Sequence, residues 1–496
     1  MVALAMLWLP ATAGSAGVAA TAISVRPLTA LVSDYEQMST SETPPSEAQC
    51  FSAGRRCFAP QAVRAAYNVR PLYDSGFDGT GVTIAIIDSY GSDTIAHDLH
   101  VYDTAFSLPP LCGEEGVTCT SGMPTFSQLH VQGSPGTNAP PPTQKSPAQE
   151  DKSSWALEVS LDVEVAHAMA PGANILLVTT PTAETLGVQG LPQMMNAEQY
   201  VIDHHLAQVI SQSFGTAEDA FASTQSLEQL RHAFVSASTS GVTVLAGVGD
   251  TGTANPQKPP VGQGHSIIPE PTVTWPGSDP LVTGVGGTSL CTEPLNTTSR
   301  VIDSTDPPAQ CQGAFAGQAE VVWQRLNVGV ATGGGFSHVF ERPSYQDVLP
   351  AGSTPIPKES RGVPDVGLQA NSRTGALIYI TLPPAGNSGL ICGGAPCSTG
   401  WYSIGGTSLS CPQWAGFVAI AAQIKGHGLG LINPALYAIG SNPVTYANDF
   451  YDVTVGNNQA NPDIPGYDAT TGWDPTTGLG TPNAANLLPD LAATVP

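Results

Sequence analysis

The chain has 496 residues, 41% of them hydrophobic and 11% charged, so it can bury a large core and belongs to the globular class. It carries 40 acidic residues against 16 Lys and Arg, a net charge of -24. This balance excludes nucleic acid and anionic lipid surfaces as partners, because binding to them needs clustered cations. It also suits an acidic medium, where protonation of carboxylates lowers the net charge.

The first 25 residues resemble an export signal. They carry no charge, and an apolar stretch at 3–10 is followed by small residues with several Ala-x-Ala cleavage points. The usual basic start is missing, which leaves a weak membrane anchor as the alternative. No other stretch is long and apolar enough to span a bilayer, so we expect a secreted protein without stable membrane association.

The nine cysteines support export, because eight of them form close pairs along the chain. The ninth, Cys411, is interpreted as a small buried residue, with a reactive thiol as the alternative. The predicted disulfides are Cys50–Cys57, Cys112–Cys119, Cys291–Cys311 and Cys392–Cys397.

Buried strands alternate with helical segments after a polar lead-in at 26–58, which is expected to be flexible. The run at 82–88 is nearly continuous and β-branched, which is typical of a strand buried on both faces of a parallel sheet. The alternation predicts an α/β fold with a doubly wound, mostly parallel sheet and helices on both faces. Further strands are predicted at 174–179, 207–211, 242–248 and 282–285, helices at 59–73, 155–169, 194–204 and 224–240, and a surface loop at 132–153.

A candidate nucleophile lies at the start of another helix. Gly405 and Gly406 precede an apolar helical run, so Ser408 is expected in its first turn, where free amides and the helix dipole can stabilise an anion. An ordinary N-cap serine is the alternative. A second Gly-Gly-Thr-Ser at 286–289 is not followed by a helical pattern, so only Ser408 has this context.

Carboxyl groups are the candidate partners of this serine. None of the ten histidines lies in the His-Gly-Thr-His setting that would supply a base. Glu158 and Asp162 are four residues apart on a predicted helix, so their carboxyls can share a proton on one face; two solvated acids are the alternative. Asp250 follows a buried strand and, if protonated, can donate to an oxyanion; a turn-capping aspartate is the alternative.

Together these residues resemble the sedolisin, or serine-carboxyl peptidase, family over about residues 58–489. The motifs occur in the order that the family shows. They are Glu158-x-x-x-Asp162, Ser211-Gln212-Ser213-Phe214-Gly215, Gly249-Asp250-Thr251-Gly252, Trp275-Pro276, Thr332-Gly333-Gly334-Gly335-Phe336-Ser337, Arg361-Gly362-Val363-Pro364-Asp365-Val366, and Ser408 with Pro412.

The resemblance implies a subtilisin-like fold and an acid-acting peptidase. It makes Ser408 the nucleophile, Glu158 its general base, Asp162 the group that orients Glu158, and Asp250 the oxyanion carboxyl. Asp88 has a place similar to that of the subtilisin aspartate, but without a partner histidine it is interpreted as structural.

The resemblance also implies two binding regions. The backbone of Ser213, Phe214 and Gly215 is expected to receive the substrate as an added strand. The chain also supplies hard oxygen ligands on glycine-containing loops near its end, which is the chemistry that Ca²⁺ prefers. The implied ligands of one Ca²⁺ are the side chains of Asp452 and Asp474 and the carbonyls of Val453, Thr470 and Gly472; Asp468 is a nearby acid that the family pattern does not favour.

The expected organisation is a signal-like segment at 1–25, the lead-in at 26–58 and a peptidase domain at 59–490 with its calcium region at 445–482. Two features depart from the family. The residues before 59 are too few for the long folded prodomain of family precursors, so a full prodomain is expected to be absent. Position 249 is glycine, where many members have serine, and this puts the hydrogen bonding of the neighbouring carboxyl in doubt.

The sequence therefore predicts a secreted, calcium-stabilised serine-carboxyl endopeptidase that acts on protein or peptide substrates, as a monomer. A tripeptidyl peptidase of the same family is one alternative. A histidine-dependent subtilase and a non-catalytic secreted binding protein on this fold are the others.

Overall fold

The computed structural model describes residues 35–131, 147–181, 188, 190–256, 267–384, 386–392 and 394–496. The signal-like segment at 1–25 and the first part of the predicted loop at 132–153 lie outside these residues. The helices of the described chain are α1 (Glu47–Ser52), α2 (Pro60–Ala66), α3 (Arg70–Asp74), α4 (Ile95–Phe106), α5 (Pro147–Met169), α6 (Leu191–Asp203), α7 (Thr224–Glu228), α8 (His232–Ser240), α9 (Thr407–Lys425), α10 (Asn433–Ser441), α11 (Pro443–Asp449) and α12 (Ala484–Thr494).

The strands of the described chain range from two to eight residues in length. They are β1 (Tyr35–Ser39), β2 (Thr83–Ser89), β3 (Phe126–His130), β4 (Asn174–Thr180), β5 (Val209–Gln212), β6 (Thr216–Ala217), β7 (Thr243–Gly247), β8 (Thr274–Trp275), β9 (Thr283–Leu290), β10 (Glu320–Val322), β11 (Gln324–Arg325), β12 (Val330–Ala331), β13 (Gly335–Phe336), β14 (Gly362–Val363), β15 (Val366–Gln369), β16 (Ala376–Ile380), β17 (Ile391–Cys392), β18 (Ala395–Pro396), β19 (Gly400–Ile404), β20 (Phe450–Tyr451) and β21 (Thr481–Pro482).

Eight strands form the central sheet in the order β10-β9-β7-β5-β2-β4-β3, with β15 beside β9. All of its pairs are parallel except β9 with β10. Ile84 and Ile86 of β2 belong to the core on one face of the sheet, whereas Ala85 and Ile87 belong to the core on the other. Burial on both faces explains the continuous apolar run of β2, and the predicted doubly wound α/β fold is confirmed.

Helices cover both faces of this sheet. α6 and α8 pack with one core, and α4, α5, α9 and α12 pack with the other. α5 and α9 contact each other closely. A Cβ on Gly416 of α9 would lie 2.6 Å from the Cβ of Met169 and 3.3 Å from the carbonyl oxygen of Ala166. Glycine at this position therefore lets α9 approach the last turn of α5.

The predicted central strands are all present, with ends shifted by one or a few residues. Two predicted helices are each divided: 59–73 forms α2 and α3, with Asn68 at φ +55° between them, and 224–240 forms α7 and α8. The loop prediction for 132–153 is wrong from Pro147 onward, where α5 begins. The first turns of α5 are polar, and their lack of apolar spacing hid the start of the helix.

Residues 35–58 form regular structure where the sequence suggested a flexible lead-in. β1 pairs with β19, and α1 begins with a capping box between Ser46 and Gln49. Arg55 donates from Nε to Glu36 at 2.7 Å. Pairing of β1 with β19 holds this segment against the strand that leads into α9, and the Cys50–Cys57 disulfide closes a loop within the segment.

All four predicted disulfides are present in the described chain. Cys411 is free and buried, as predicted, and burial raises the pKa of its thiol to about 12. Within the described residues, every helix is too short or too polar to cross a membrane.

Candidate active site

Ser408 lies in the first turn of α9, at the carboxyl side of β19. The N-cap position is Gly406, with φ +114° and no side-chain cap, so Ser408 does not serve as the N-cap. The Ser408 side chain is buried, and its hydroxyl has no hydrogen-bond partner within the described part of the chain. The hydroxyl is therefore available for chemistry at a helix end where backbone amides favour an anion.

Glu158 and Asp162 are both fully buried on α5. Burial, followed by the charges of Asp88 and Glu158, raises the pKa of Asp162 well above its usual range. The Ser213 hydroxyl donates to Asp162 Oδ1 at 3.0 Å, and this hydrogen bond lowers the pKa of Asp162. The alternative of two solvated acids is therefore wrong, and Asp162 retains its proton to higher pH than a solvated acid.

Asp88 is a third carboxyl of this group. It lies in β2 at the carboxyl end of the sheet, between β4 and β5, where the strand order reverses and α/β proteins commonly bind ligands. Neither of its carboxylate oxygens has a hydrogen-bond partner among the described residues, and burial raises its pKa to about 8. Its charge acts on Asp162, so the purely structural interpretation of Asp88 misses this contact. The position of Asp88 at the carboxyl end of a predicted buried strand was the sequence signal that could have indicated this interaction.

The charge of Asp162 reaches the side of α9 that carries Cys411. Cys411 lies three residues after Ser408, on the same helix face. Its Sγ is 3.5 Å from the Ser211 hydroxyl, and the charge of Asp162 contributes to its raised pKa. The face of α9 with Ser408 and Cys411 therefore points towards Asp162 and the end of β5.

Asp250 is hydrogen bonded to the residue before the serine. Its Oδ1 accepts from the Thr407 amide at 2.8 Å and from the Thr407 hydroxyl at 2.9 Å. The Gly249 amide donates to the same hydroxyl at 3.1 Å. Asp250 thus reaches across from the end of β7 to α9, which a simple turn cap would not do.

Glycine at position 249 has a conformational cause. Its φ is +102°, in the region that favours glycine, and a Cβ would lie 3.2 Å from Thr274 Cγ2. With glycine at this position, Asp250 Oδ1 still accepts both hydrogen bonds from Thr407.

The segment 213–215 follows β5 beside the acid group. The Ser213 hydroxyl holds Asp162, and the Phe214 side chain is buried in the same core as Trp275. A Cβ on Gly215 would lie 3.1 Å from the Trp275 carbonyl oxygen. The side chains of Ser213 and Phe214 are therefore used inside the protein. The Ser213–Asp162 bond was not predicted, because it depends on how α5 crosses the sheet.

No described histidine is bonded to Ser408, since its hydroxyl has no partner among the described residues. His167, on α5, is fully buried, with Nε2 3.1 Å from Asp103 Oδ2 and 3.0 Å from the Pro109 carbonyl oxygen. Its Nδ1 has no hydrogen-bond partner among the described residues, and its Nε2 contacts groups other than Ser408. The described histidines therefore offer no hydrogen-bond partner to Ser408.

The predicted calcium ligands Asp452 and Asp474 lie against one loop. Asp452 Oδ2 accepts from the Gly472 amide at 3.0 Å, and Asp474 Oδ2 accepts from the Thr470 amide at 3.1 Å. Burial raises the pKa of Asp474 to about 6. Burial and then the charges of Asp452 and Asp474 raise the pKa of Tyr446, which places the two carboxyls around one tyrosine.

The described residues contain no group of three or more His, Cys, Asp or Glu side chains that could hold a metal ion. A site with two carboxylates and the carbonyls of Val453, Thr470 and Gly472 would not form such a group, because most of its oxygens belong to the backbone. Asp468 is bonded at the surface to Asn457 at 2.7 Å. The donor chemistry around Asp452 and Asp474 fits Ca²⁺.

A parallel α/β sheet, a serine at a helix start and buried carboxyls on the neighbouring helix define the class of subtilisin-like folds to which this protein belongs. The solved structure of Pseudomonas sedolisin (serine-carboxyl proteinase) complexed with two molecules of pseudo-iodotyrostatin superposes with a TM-score of 0.61 at 26% identity, covering 88% of this chain and 97% of that one. No protein-family model matches the chain.

Curated relatives agree with this class. Kumamolisin from Bacillus sp. (strain MN-32) is 31% identical over 444 residues, which cover 89% of this chain and 65% of that protein. Sedolisin from Pseudomonas sp. (strain 101) is 31% identical over 68% of this chain and 49% of its own length, and tripeptidyl-peptidase 1 from Rattus norvegicus is 29% identical over 68% and 52%. The chain belongs to the sedolisin family, and it spans about half to two thirds of the length of these relatives.

Proposed function

We propose that this protein is an acid-acting serine-carboxyl endopeptidase that hydrolyses peptide bonds through an acyl-enzyme on Ser408. The observation that carries the proposal is the arrangement around the start of α9. Thr407 binds the Asp250 carboxyl, Ser408 follows it with an unbonded hydroxyl, and the buried acids of α5 face the same helix.

Glu158 takes the hydroxyl proton of Ser408 as Oγ attacks the carbonyl carbon of the peptide. The resulting oxyanion is stabilised by the protonated Asp250 carboxyl and by a backbone amide of the first turn of α9. The C–N bond then breaks, and the leaving amine takes the proton from Glu158. Water attacks the acyl-enzyme with Glu158 again as base, which releases the acid product and restores Ser408.

The raised pKa values support work at low pH. Burial and the neighbouring charges raise the pKa of Asp162, so Asp162 retains its proton and Glu158 serves as the ionised member of the pair. Asp88, with a pKa of about 8, also holds its proton in acid. Because Asp250 must be protonated to donate, activity is expected to fall as the pH rises.

Tripeptidyl peptidase action is the second candidate, because tripeptidyl-peptidase 1 is among the relatives. Either activity uses the same catalytic groups, and the difference lies in how the substrate amino terminus is held. The backbone of Ser213, Phe214 and Gly215 is proposed to bind the substrate in both cases, because its side chains are engaged inside the protein.

The test is mass spectrometry of the peptides released from a denatured protein at acid pH. Ser408→Ala and Glu158→Gln should each lower kcat/KM at least about a thousandfold. Internal fragments indicate an endopeptidase, and tripeptides from the amino terminus indicate the second candidate.

Ser410→Ala and Glu164→Gln are the matched controls on the same two helices. Ser410 donates to the carbonyl oxygens of Leu368 and Gln369, and Glu164 accepts from the Tyr379 amide. Both controls should keep activity. Full proteolysis by Ser408→Ala would refute the proposal, and no proteolysis by the wild type would favour a binding protein on this fold.

We also propose one structural Ca²⁺ held by the side chains of Asp452 and Asp474 and the carbonyls of Val453, Thr470 and Gly472. When bound, the ion would offset the repulsion between two acids that lie around the same tyrosine. It takes no part in the chemistry at Ser408.

A chelator should lower the thermal unfolding midpoint of the wild type, and added Ca²⁺ should restore it. At a concentration of free Ca²⁺ about 100 times the Kd, the ion would stabilise the fold by about 2.7 kcal/mol. Asp474→Asn should abolish the chelator effect, whereas the surface control Asp468→Asn should keep it. An equal chelator effect in both variants would place the ion elsewhere.

Secretion and a monomeric state complete the proposal. The four disulfides support an oxidising compartment. Recovery of the protein from culture medium, followed by sedimentation of the purified protein, would test both; retention in the cell or a concentration-dependent mass would contradict them.

A further inference from the structure

Thr407 uses both of its polar groups on one oxygen of Asp250. Its amide and its hydroxyl both lie within hydrogen-bond distance of Oδ1, at 2.8 and 2.9 Å. The hydroxyl does not cap α9, because the helix has no side-chain cap. The hydroxyl is thus directed at Asp250 and not at its own helix.

The direction of the hydroxyl bond follows from its other partner. The Gly249 amide donates to Thr407 Oγ1 at 3.1 Å, so this oxygen already accepts one hydrogen bond. The Thr407 hydroxyl hydrogen can then be donated to Asp250 Oδ1, which continues the chain from the Gly249 amide through the hydroxyl to the carboxyl. Gly249, Thr407 and Asp250 are all buried, so water does not compete strongly for these groups.

Two donors on Oδ1 restrict where a neutral Asp250 can carry its proton. The Thr407 amide can only donate, and the carbonyl oxygen of a neutral carboxyl is a better acceptor than its hydroxyl oxygen. Oδ1 is therefore the carbonyl oxygen, and the proton resides on Oδ2. Donation to Oδ1 also favours the ionised carboxylate, which moves the loss of this proton to lower pH.

We propose that Thr407 is a positioning residue that directs the proton of Asp250 to Oδ2 and sets the upper pH limit of activity. This inference rests on the proposed function, in which Asp250 donates its proton to the oxyanion. Thr407 acts through Asp250 and has no direct role towards the substrate.

The test compares pH profiles of kcat and KM for Thr407→Val and Thr407→Ser. Valine keeps the amide bond and nearly the same shape but removes the hydroxyl. We expect kcat of Thr407→Val to fall about tenfold at its optimum with little change in KM, because the carboxyl is less fixed. The alkaline limb of its profile should move up by about one pH unit, because the carboxylate loses a donor. Thr407→Ser keeps the hydroxyl and should restore both the rate and the position of the limb.

Thr243→Val is the matched control for loss of a buried threonine hydroxyl. Thr243 lies at the other end of β7 and donates to the Gly430 carbonyl oxygen at 2.7 Å. Its substitution should lower the thermal midpoint without moving the pH profile. In an Asp250→Asn background the donor no longer titrates, so adding Thr407→Val should not shift the alkaline limb.

An alkaline limb that moves down in Thr407→Val would overturn the proposal, because it would mean that Thr407 accepts the proton of Asp250 at Oδ1. An unchanged profile, or an equal shift in Thr407→Ser, would overturn it as well. Ser408→Ala is measured in the same assay. If Ser408→Ala is inactive and Thr407→Val behaves as wild type, only the role of Thr407 fails; if Ser408→Ala is active, the proposed function fails.

Discussion

Two sets of buried carboxyls in this protein have opposite surroundings. Asp365 is fully buried and accepts from Arg361 Nη2 at 2.6 Å, from the Gly284 amide at 2.8 Å and from the Tyr437 hydroxyl at 3.0 Å. Asp88 is also fully buried, but neither of its oxygens has a hydrogen-bond partner within the described chain.

The difference separates a structural acid from a proton-holding one. Burial raises the pKa of Asp365, whereas the charge of Arg361 and the donors around the carboxylate lower it, so the ionised form has a charged partner in the fold. Asp88 acts on Asp162, whose other acidic neighbour is Glu158, and like charges favour the neutral forms. Burial raises the pKa of all these acids, and the charges of their neighbours distinguish them.

Breaking the structural set should have the largest effect on stability. Arg361→Leu would leave Asp365 as an uncompensated buried charge, at an expected cost of about 3–5 kcal/mol in the free energy of unfolding. Urea unfolding at neutral pH measures this loss. The double variant Arg361→Leu with Asp365→Leu should recover much of it, and a single variant as stable as the wild type would show that the pair is not structural.

Breaking the proton-holding set should act on rate. Asp162→Asn cannot exchange a proton with Glu158, so we expect kcat to fall about a hundredfold at acid pH while the fold is kept. Glu164→Gln is the matched control: it is equally buried on α5, but it accepts from the Tyr379 amide on another face of the helix. Equal activity losses in the two variants would remove the distinction between these acids.

Asp88→Asn should change the pH dependence of stability. The pKa of Asp88 is raised from 3.8 to about 8, so the folded protein holds a proton that the unfolded chain releases. The contribution of this proton to the free energy of unfolding is complete below about pH 4 and is lost as the pH rises towards 8. The variant lacks this dependence and should be more stable than the wild type near pH 8, by an amount on the order of 5 kcal/mol.

Asp98 provides the comparison for that measurement. It accepts from the hydroxyls of Thr381 and Thr94, and its pKa is raised only to about 6, by burial. Asp98→Asn should therefore remove a pH dependence that ends near pH 6. Urea unfolding at a series of pH values gives the free energy of unfolding of each variant. If this free energy changed with pH in the same way for the wild type and Asp88→Asn, Asp88 would be ionised in the folded state and the prediction would be wrong.

Much of the architecture could be predicted from local pattern. A strand buried on both faces, such as β2, must be apolar along its whole length, and disulfides between close cysteines such as Cys50 and Cys57 need no knowledge of the fold. α5 was predicted only from residue 155, because its first turns are polar. Residues 35–58 were expected to be flexible. Their order could not be predicted, because it depends on pairing of β1 with β19, which links parts of the chain that are far apart in sequence.

The sequence by itself determined the candidate acid–base residues and predicted that Ser408 begins a helix, because residue type and helical spacing are local properties. Tertiary structure alone decided how these groups pair. Asp88 meets Asp162 only because α5 crosses the carboxyl end of the sheet, and Thr407 binds Asp250 only because β7 ends beside α9. Such contacts depend on strand order and helix approach, which no single stretch of the chain encodes.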